Sequence, residues 1–304
     1  MNRTLKFITA AVLTAGLTGC SSAANSAASS AASGSEAAGA SSVNPHGYVI
    51  TPIEAANLPL NLPDLDLAVI NGNYALEAKL NETNPAIAIE TFDTETSVKR
   101  TNYLAVKEGN ENSEKIQALV AAITSEDVKT YIESTYNGAV ITSFIDAEGK
   151  PVTGGEIIDA SGDDNKITVG ATLVPHAEIL NNVIADVLKA HGWELEVVEF
   201  SDYVLPNTSL EEGELDANYF QTLGYLNGQN EERGLHLVAS VGVHIEPMGV
   251  YSEKIKALTD IPDGASIGVP NDTDNYGRAI DLLNALGLLN GAPIDPEAIN
   301  EING

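Results

Sequence analysis

The chain has 304 residues with 43 acidic against 15 basic side chains, a formal charge of −28, and is long enough for two medium domains with cores of their own. That balance excludes nucleic acid and anionic lipid head groups as electrostatic partners, because both require clustered Lys and Arg. A hydrophobic fraction of 43% is that of a globular protein with an acidic, solubilising surface.

The chain opens with Arg3 and Lys6, an apolar stretch over 7–17 and small residues ahead of Cys20. This is the layout of a secretory signal over 1–19, too short to span a bilayer. Leu17-Thr18-Gly19-Cys20 is similar to the lipobox of bacterial lipoproteins, which implies a lipid on Cys20 after cleavage and an extracytoplasmic, membrane-anchored protein. Cys20 is the only cysteine, so the fold relies on its core and not on internal disulfides. Residues 21–43 are almost wholly Ser, Ala and Gly, a composition that cannot offset its ordering entropy and reads as a flexible tether spanning on the order of 25–30 Å.

From residue 44 onward, short β-type runs alternate with helix-period segments. That order predicts an α/β chain with parallel sheets and crossover helices. Strands are expected at 67–70, 103–106, 167–171, 195–200, 235–243 and 266–269. Helices are expected at 113–124, 126–136, 220–232, 252–258 and 275–287. A further helix follows from the apolar stripe Ile179, Leu180, Val183, Ile184, Val187 and Leu188, ended by Gly192. The stretch 146–165 is polar and Gly-rich, without helical period, and reads as a bridge between two folded parts.

In a two-lobed α/β protein a ligand sits among strand ends and helix starts. Candidates are therefore Asn71 after 67–70, His244 after 235–243, and Arg278 in the first turn after Val269-Pro270-Asn271-Asp272. The Arg278 guanidinium suits a carboxylate, as do backbone N–H groups at a helix start. Asn71 and Asn218 offer side-chain amides for an ammonium and a carboxylate, while Tyr203, Tyr219 and Phe220 can wall an apolar pocket that accepts a thioether. No nucleophile elbow, P-loop, dinucleotide fingerprint or thiol nucleophile is present, so neither an enzyme nor a cofactor is expected. His176-Ala177-Glu178 and His244-Ile245-Glu246 share an H-x-E spacing but lack the cysteine pair of zinc deaminases. The five histidines form no His-rich loop, and no metal is expected, although several of them and a carboxylate can in principle converge.

Residues 166–304 carry KITVGATLVPHAEIL, LEVVEFSDYVLPNTSLEEGELDANYFQ, VGVHIEPMGVYS and GVPNDTDNYGRAIDLL. Together these resemble the first half of the NlpA-type methionine-binding lipoproteins of ABC importers. Residues 44–145 carry IEAANLPLNLPDLDLAVINGNYALEAKLN and SEDVKTYIESTYNGAVITSF, and resemble that family's second half. The halves stand in swapped order, as in a circular permutation. The resemblance implies a two-lobed, type II-like periplasmic-binding-protein fold with one lobe from 103–246 and the other from 44–102 and 247–304. The bridge at 146–165 would then join the former chain ends.

The resemblance further implies an L-methionine or related amino-acid ligand held by Arg278, Asn71 and Asn218. His244, Glu246 and Met248 would shape the pocket, and an ABC permease with its ATPase would be the partner. Two departures fall near the expected cleft. Thr222 stands where the family has histidine after its Asp-Ala-Asn-Phe-Phe-Gln, and Arg100 stands where it has the tyrosine of Ser-Pro-Tyr-Ala-Asn. Another amino acid, a short peptide or a metal ion therefore stays open as ligand, and a non-transport surface adhesin is the alternative without a cleft.

Overall fold

A computed structural model describes residues 41–162 and 164–303, which belong to one unit, Ala37–Gly304. The expected signal segment, Cys20 and the tether up to residue 40 lie outside the described residues. Eleven strands follow in chain order: β1 (Val49–Ile53), β2 (Leu67–Ile70), β3 (Ala88–Ile89), β4 (Thr101–Lys107), β5 (Ile141–Ile145), β6 (Lys166–Thr172), β7 (Glu194–Phe200), β8 (Ala217–Thr222), β9 (Leu237–Ile245), β10 (Gly249–Tyr251) and β11 (Ser266–Pro270). They form a five-stranded sheet, β1-β11-β2-β10-β3, and a six-stranded sheet, β5-β9-β4-β8-β6-β7. The six-stranded sheet uses only residues between 101 and 245, and the five-stranded sheet draws on both flanks of that span.

All four residues of β2 and all six of β8 are buried, as central strands covered on both faces must be. Each sheet has its own core. Leu104, Ile116, Ile132, Ile167, Ile184 and Val243 centre one; Ile50, Val69, Ile267, Ile280, Leu283 and Ile302 centre the other. Helices Glu114–Ile123 and Glu126–Tyr136 begin where expected because Ser113 and Ser125 cap them, each hydroxyl accepting a backbone N–H of the first turn.

The structure corrects several expectations. The sheets are mixed: β1, β11 and β2 run parallel, as do β7, β6 and β8, but β10 is antiparallel to β2 and β3, and β4, β5 and β9 pair antiparallel. The helix expected at 220–232 starts only at Leu223, since 217–222 is drawn into β8 between β4 and β6. No helix forms over 252–258. There the Ser252 hydroxyl accepts from the backbone N–H groups of Lys254 and Ile255 (3.0 and 2.8 Å), satisfying them in a turn instead. The helix before Gly192 opens with wide i→i+5 turns at Leu173–Ala177 and Leu180–Ile184 before regular α-helix from Ala185 to Ala190.

The described chain ends meet beside β1. Asn44 Nδ2 donates to Tyr48 O (2.8 Å) and to Ile302 O, Asn44 Oδ1 accepts from Tyr48 N (2.9 Å), and Ile50 N donates to Asn303 Oδ1 (2.8 Å). Val43 O accepts from Asn290 N (2.8 Å), so the segment read as tether has joined the fold by that residue. The stretch 146–165 lies against the six-stranded unit, where Trp193 Nε1 donates to Ile158 O (2.7 Å) and Ala160 N to His191 O (2.8 Å). Asn44→Ala strands buried backbone groups of Tyr48 and Ile302, and should lower unfolding free energy by about 1–3 kcal/mol. Urea denaturation checks this, and an unchanged midpoint would count against the clasp.

Candidate ligand-binding cleft

Between the two sheets lies a narrow cavity of about 20 Å³, lined by Asn71, Gly72, Asn73, Asn102, Tyr203, Phe220, Gln221, Thr222, Tyr225, Glu246, Asn275 and Arg278. One side supplies the residues just after β2 and the helix Thr273–Ala285. The other supplies the loop after β7, the end of β8 and the helix Leu223–Arg233. Glu246 comes from the segment that crosses between β9 and β10. Gly72 lets that crossing approach, because a Cβ there would stand 2.7 Å from the Glu246 Cβ.

A chain of amides sets the polarity of one wall. Asn275 Nδ2 donates to the Asp272 carboxylate (3.0 and 3.1 Å), so Asn275 Oδ1 faces Asn71 and accepts from its Nδ2 (2.8 Å). Asn71 is thereby left with Oδ1, a buried acceptor without a partner among the described residues. Two residues on, Asn73 Oδ1 accepts from the Tyr203 hydroxyl (2.6 Å) and its Nδ2 is a buried donor without a partner among them. Unpaired buried polar atoms are costly, and these two have opposite polarity on one cavity. Beside them Tyr203, Phe220 and Tyr225 form a three-ring cluster with centroids 5.7–6.0 Å apart, a geometry suited to an apolar or thioether side chain.

Arg278 is 4% exposed. Its Nε donates to both Glu90 oxygens (3.0 and 2.9 Å), and its Nη2 donates to Glu90 Oε2 (2.5 Å) and to Glu246 O (2.8 Å). Burial alone would pull its pKa down, but the Glu90 carboxylate more than reverses that. The fork is therefore taken by Glu90, and the Nη1 edge is what the side chain has left to offer a ligand. A second buried network stands behind Glu246. Its Oε1 accepts from His244 Nε2 (2.6 Å) and lies 3.3 Å from His176 Nε2, while His244 Nδ1 meets the Tyr219 hydroxyl and His176 Nδ1 the Thr172 hydroxyl (2.8 Å). Burial lowers His176 to about 3 and keeps it neutral. Burial also opposes ionisation of Glu246, yet the hydrogen bond from His244 and the charge of Arg278 hold its carboxyl below the ordinary range.

Five of the eight residues singled out from sequence line the cavity: Asn71, Tyr203, Phe220, Glu246 and Arg278. Arg278 does so from the second turn of its helix, Thr273–Ala285, and not from the first. Asn218, Tyr219 and His244 stand behind the wall. Asn218 is wholly buried in an amide network with Asn207 and Gln221, and Tyr219 points to the opposite face of β8 from Phe220, into the core. Sequence reasoning missed Asn73, Gln221, Tyr225 and Asn275 as lining residues. The Asn71-Gly72-Asn73 repeat at a helix start was the available signal for Asn73. Glu90, far from Arg278 in sequence, had none. Both departures noted above reach the cleft: Thr222 lines the cavity, and Arg100 lines the adjoining opening that shares Tyr225 and Arg278 with it.

Two mixed α/β layers flank a polar, aromatic-walled cleft. The sequence profile of the NlpA lipoprotein family matches residues 36–144 and 167–292, and the chain belongs to that family. It is 42% identical over 130 residues to the D-methionine-binding lipoprotein MetQ of Escherichia coli, covering 42% of this chain and 47% of that protein. Against the methionine-binding lipoprotein MetQ of Bacillus subtilis it is 40% identical over 131 residues, covering 43% and 47%. The chain thus spans about half the length of the curated relatives it matches. Among solved structures, a lipoprotein from Ruminococcus gnavus is 46% identical with a TM-score of 0.41, covering 43% of this chain and 55% of that one. A nutrient-binding protein from Burkholderia cenocepacia bound to methionine is 43% identical with a TM-score of 0.38, covering 40% and 50%.

Asp272, pushed up to about 6 by burial from an ordinary 3.8, keeps its proton in the folded chain where the unfolded chain has lost it. Its contribution to stability is full below about pH 4 and is lost as pH rises through about 6. Asp272→Asn removes that contribution, so the stability of the variant relative to the native chain should rise between those pH values. Urea midpoints across the range check it, and a pH-independent difference refutes it. A Cβ on Gly224 would stand 2.3 Å from Asp274 Oδ1, the carboxylate that also accepts from Thr222 Oγ1 across the cleft (3.1 Å). Gly224→Ala should therefore push the Asp274 carboxylate aside and break its bond to Thr222, lowering the urea midpoint, and an unchanged midpoint would count against that contact.

Proposed function

We propose that this chain is the extracytoplasmic, lipid-anchored solute-binding component of an ATP-driven importer, and that its cleft takes methionine or a closely related amino acid. One observation carries the reading. An unpaired acceptor, Asn71 Oδ1, and an unpaired donor, Asn73 Nδ2, lie on one cavity beside a three-ring aromatic wall. An α-amino acid zwitterion presents the complementary pair: its ammonium donates to Asn71 Oδ1, and its carboxylate accepts from Asn73 Nδ2 and the Nη1 edge of Arg278. A thioether packs against the rings. Closure of the two lobes around the ligand, favoured by contacts to both sides, is the step a permease would read. The names of the relatives support methionine, membership of a lipoprotein family supports the anchor on Cys20, and no helix among the described residues is long and apolar enough to cross a membrane.

The reading includes a permuted chain, with lobes from 103–246 and from 44–102 joined to 247–304. In its support, the family match breaks into two blocks and the break falls on the bridge at 145–166. The described ends also meet at β1.

Calorimetric titration of the full chain in detergent with L- and D-methionine tests the function. Saturable binding and a concentration-dependent rise in Tm are expected. Asn73→Ala should weaken binding by about 1–3 kcal/mol, and Arg278→Ala should both weaken binding and destabilise the fold, because Glu90 loses its partner. Absence of any thermal shift with millimolar methionine rejects the assignment.

A further inference from the structure

The two H-x-E segments have different fates in the fold. Glu178 of the first accepts from the Tyr136 hydroxyl (2.7 Å) and takes no part in the cleft. His176 instead joins His244 and Glu246 of the second, and one ligating atom from each of the three lies within 4.8 Å of the others. All three residues are buried, both histidines completely. We propose that His176, His244 and Glu246 form a zinc site in the wall of the cleft, with Asn102 Oδ1 as a fourth oxygen donor.

The geometry is close to what the ion needs. Zinc holds imidazole nitrogen and carboxylate oxygen at about 2.0–2.2 Å in a tetrahedral arrangement, which sets neighbouring donors roughly 3.3 Å apart. His176 Nε2 and Glu246 Oε1 already stand 3.3 Å apart, and Asn102 Oδ1 is 3.1 Å from the same nitrogen. His244 Nε2, at 2.6 Å from Glu246 Oε1, has to draw back by about 0.7 Å. Both distal ring nitrogens are anchored on hydroxyls, His176 Nδ1 on Thr172 and His244 Nδ1 on Tyr219. A hydroxyl can accept as well as donate, so it supports the tautomer that turns an Nε2 lone pair toward the ion. Two imidazoles and one carboxylate select zinc over the oxygen-seeking calcium and magnesium. Glu246 and Asn102 both line the cavity, which gives the ion its entry path. The inference does not depend on which organic molecule the cleft takes.

Zinc chloride is titrated into the full chain with magnesium in excess to occupy the acidic surface, and cobalt(II) is used in parallel. One tightly held equivalent is expected, with visible cobalt bands of a four- or five-coordinate ion. X-ray absorption of the zinc form should show nitrogen and oxygen neighbours only, since a sulfur shell would place the ion on Cys20 and overturn the proposal. Glu246→Gln, close in shape, should reduce zinc affinity by at least about 100-fold, and Thr172→Val, which touches only the far side of His176, by about 10–100-fold. Weak zinc binding that is unchanged in both variants would reduce the trio to a hydrogen-bonded buttress. Methionine titration of the chelator-treated protein reports the amino-acid reading separately.

Discussion

Arg278 ties together the two stretches of chain that pass between the sheets, through its contacts with Glu90 and the Glu246 carbonyl. The chain passes between its two sheets at 90–100, after β3, and at 246–248, after β9. Arg278 grips both passages from the helix Thr273–Ala285, through the Glu90 carboxylate on the first and the Glu246 backbone oxygen on the second. Arg100, at the end of the first passage, adds a longer contact to Glu90 (3.6 Å). A buried ion pair contributes little net stability because desolvation offsets the attraction, but removal of one partner leaves an uncompensated charge and costs about 3–5 kcal/mol. The pair is therefore better understood as fixing where the two passages lie than as a source of stability.

Amides then turn that fixed frame into a directional surface. An asparagine side chain is donor and acceptor at once, and which end faces the cavity depends on its neighbours. On the β2 side a carboxylate at the far end, Asp272, decides the matter for Asn275 and hence for Asn71. On the β8 side Asn207, Asn218 and Gln221 satisfy one another, so Gln221 meets the cavity already held in place. The first wall has unpaired atoms, Asn71 Oδ1 and Asn73 Nδ2, whereas the second presents amides already satisfied beside the aromatic rings.

These facts were unequally legible in the sequence. Leu67–Ile70 is legible residue for residue as a short apolar run, and the helix at 113–124 is legible because the apolar face of Ile116, Leu119, Val120 and Ile123 is a local pattern. The strand at 217–222 was missed where long-range pairing with β4 and β6 overrode a helix-like neighbourhood. Arg278 shows the limit most clearly. Its chemistry and its place at the cleft were readable, whereas the carboxylate that occupies its fork lies 188 positions away and no local pattern connects them. Asn218 was chosen on its motif, and it supports the site through Gln221 without touching the cavity. Mixed sheet direction was unreadable for the same reason as the Arg278 pairing, because a strand's sequence does not state the direction of its neighbour.

The same frame separates the contacts of the fold from the order of its parts along the chain. Contacts depend on which surfaces meet, and order in the chain matters only through the loops that must close. The six-stranded unit is continuous between 101 and 245, whereas the five-stranded unit pairs β1 with β11 across almost the whole described chain. Closing so long a loop costs more entropy, though only logarithmically, and the bonds of Asn44, Ile302 and Asn303 tie the two described ends together beside β1. The Arg278 grip lies within the discontinuous unit, and the passages it holds are the two strands of chain entering the continuous one. The cleft therefore draws one of its walls from a sheet whose strands come from both flanks of the described chain.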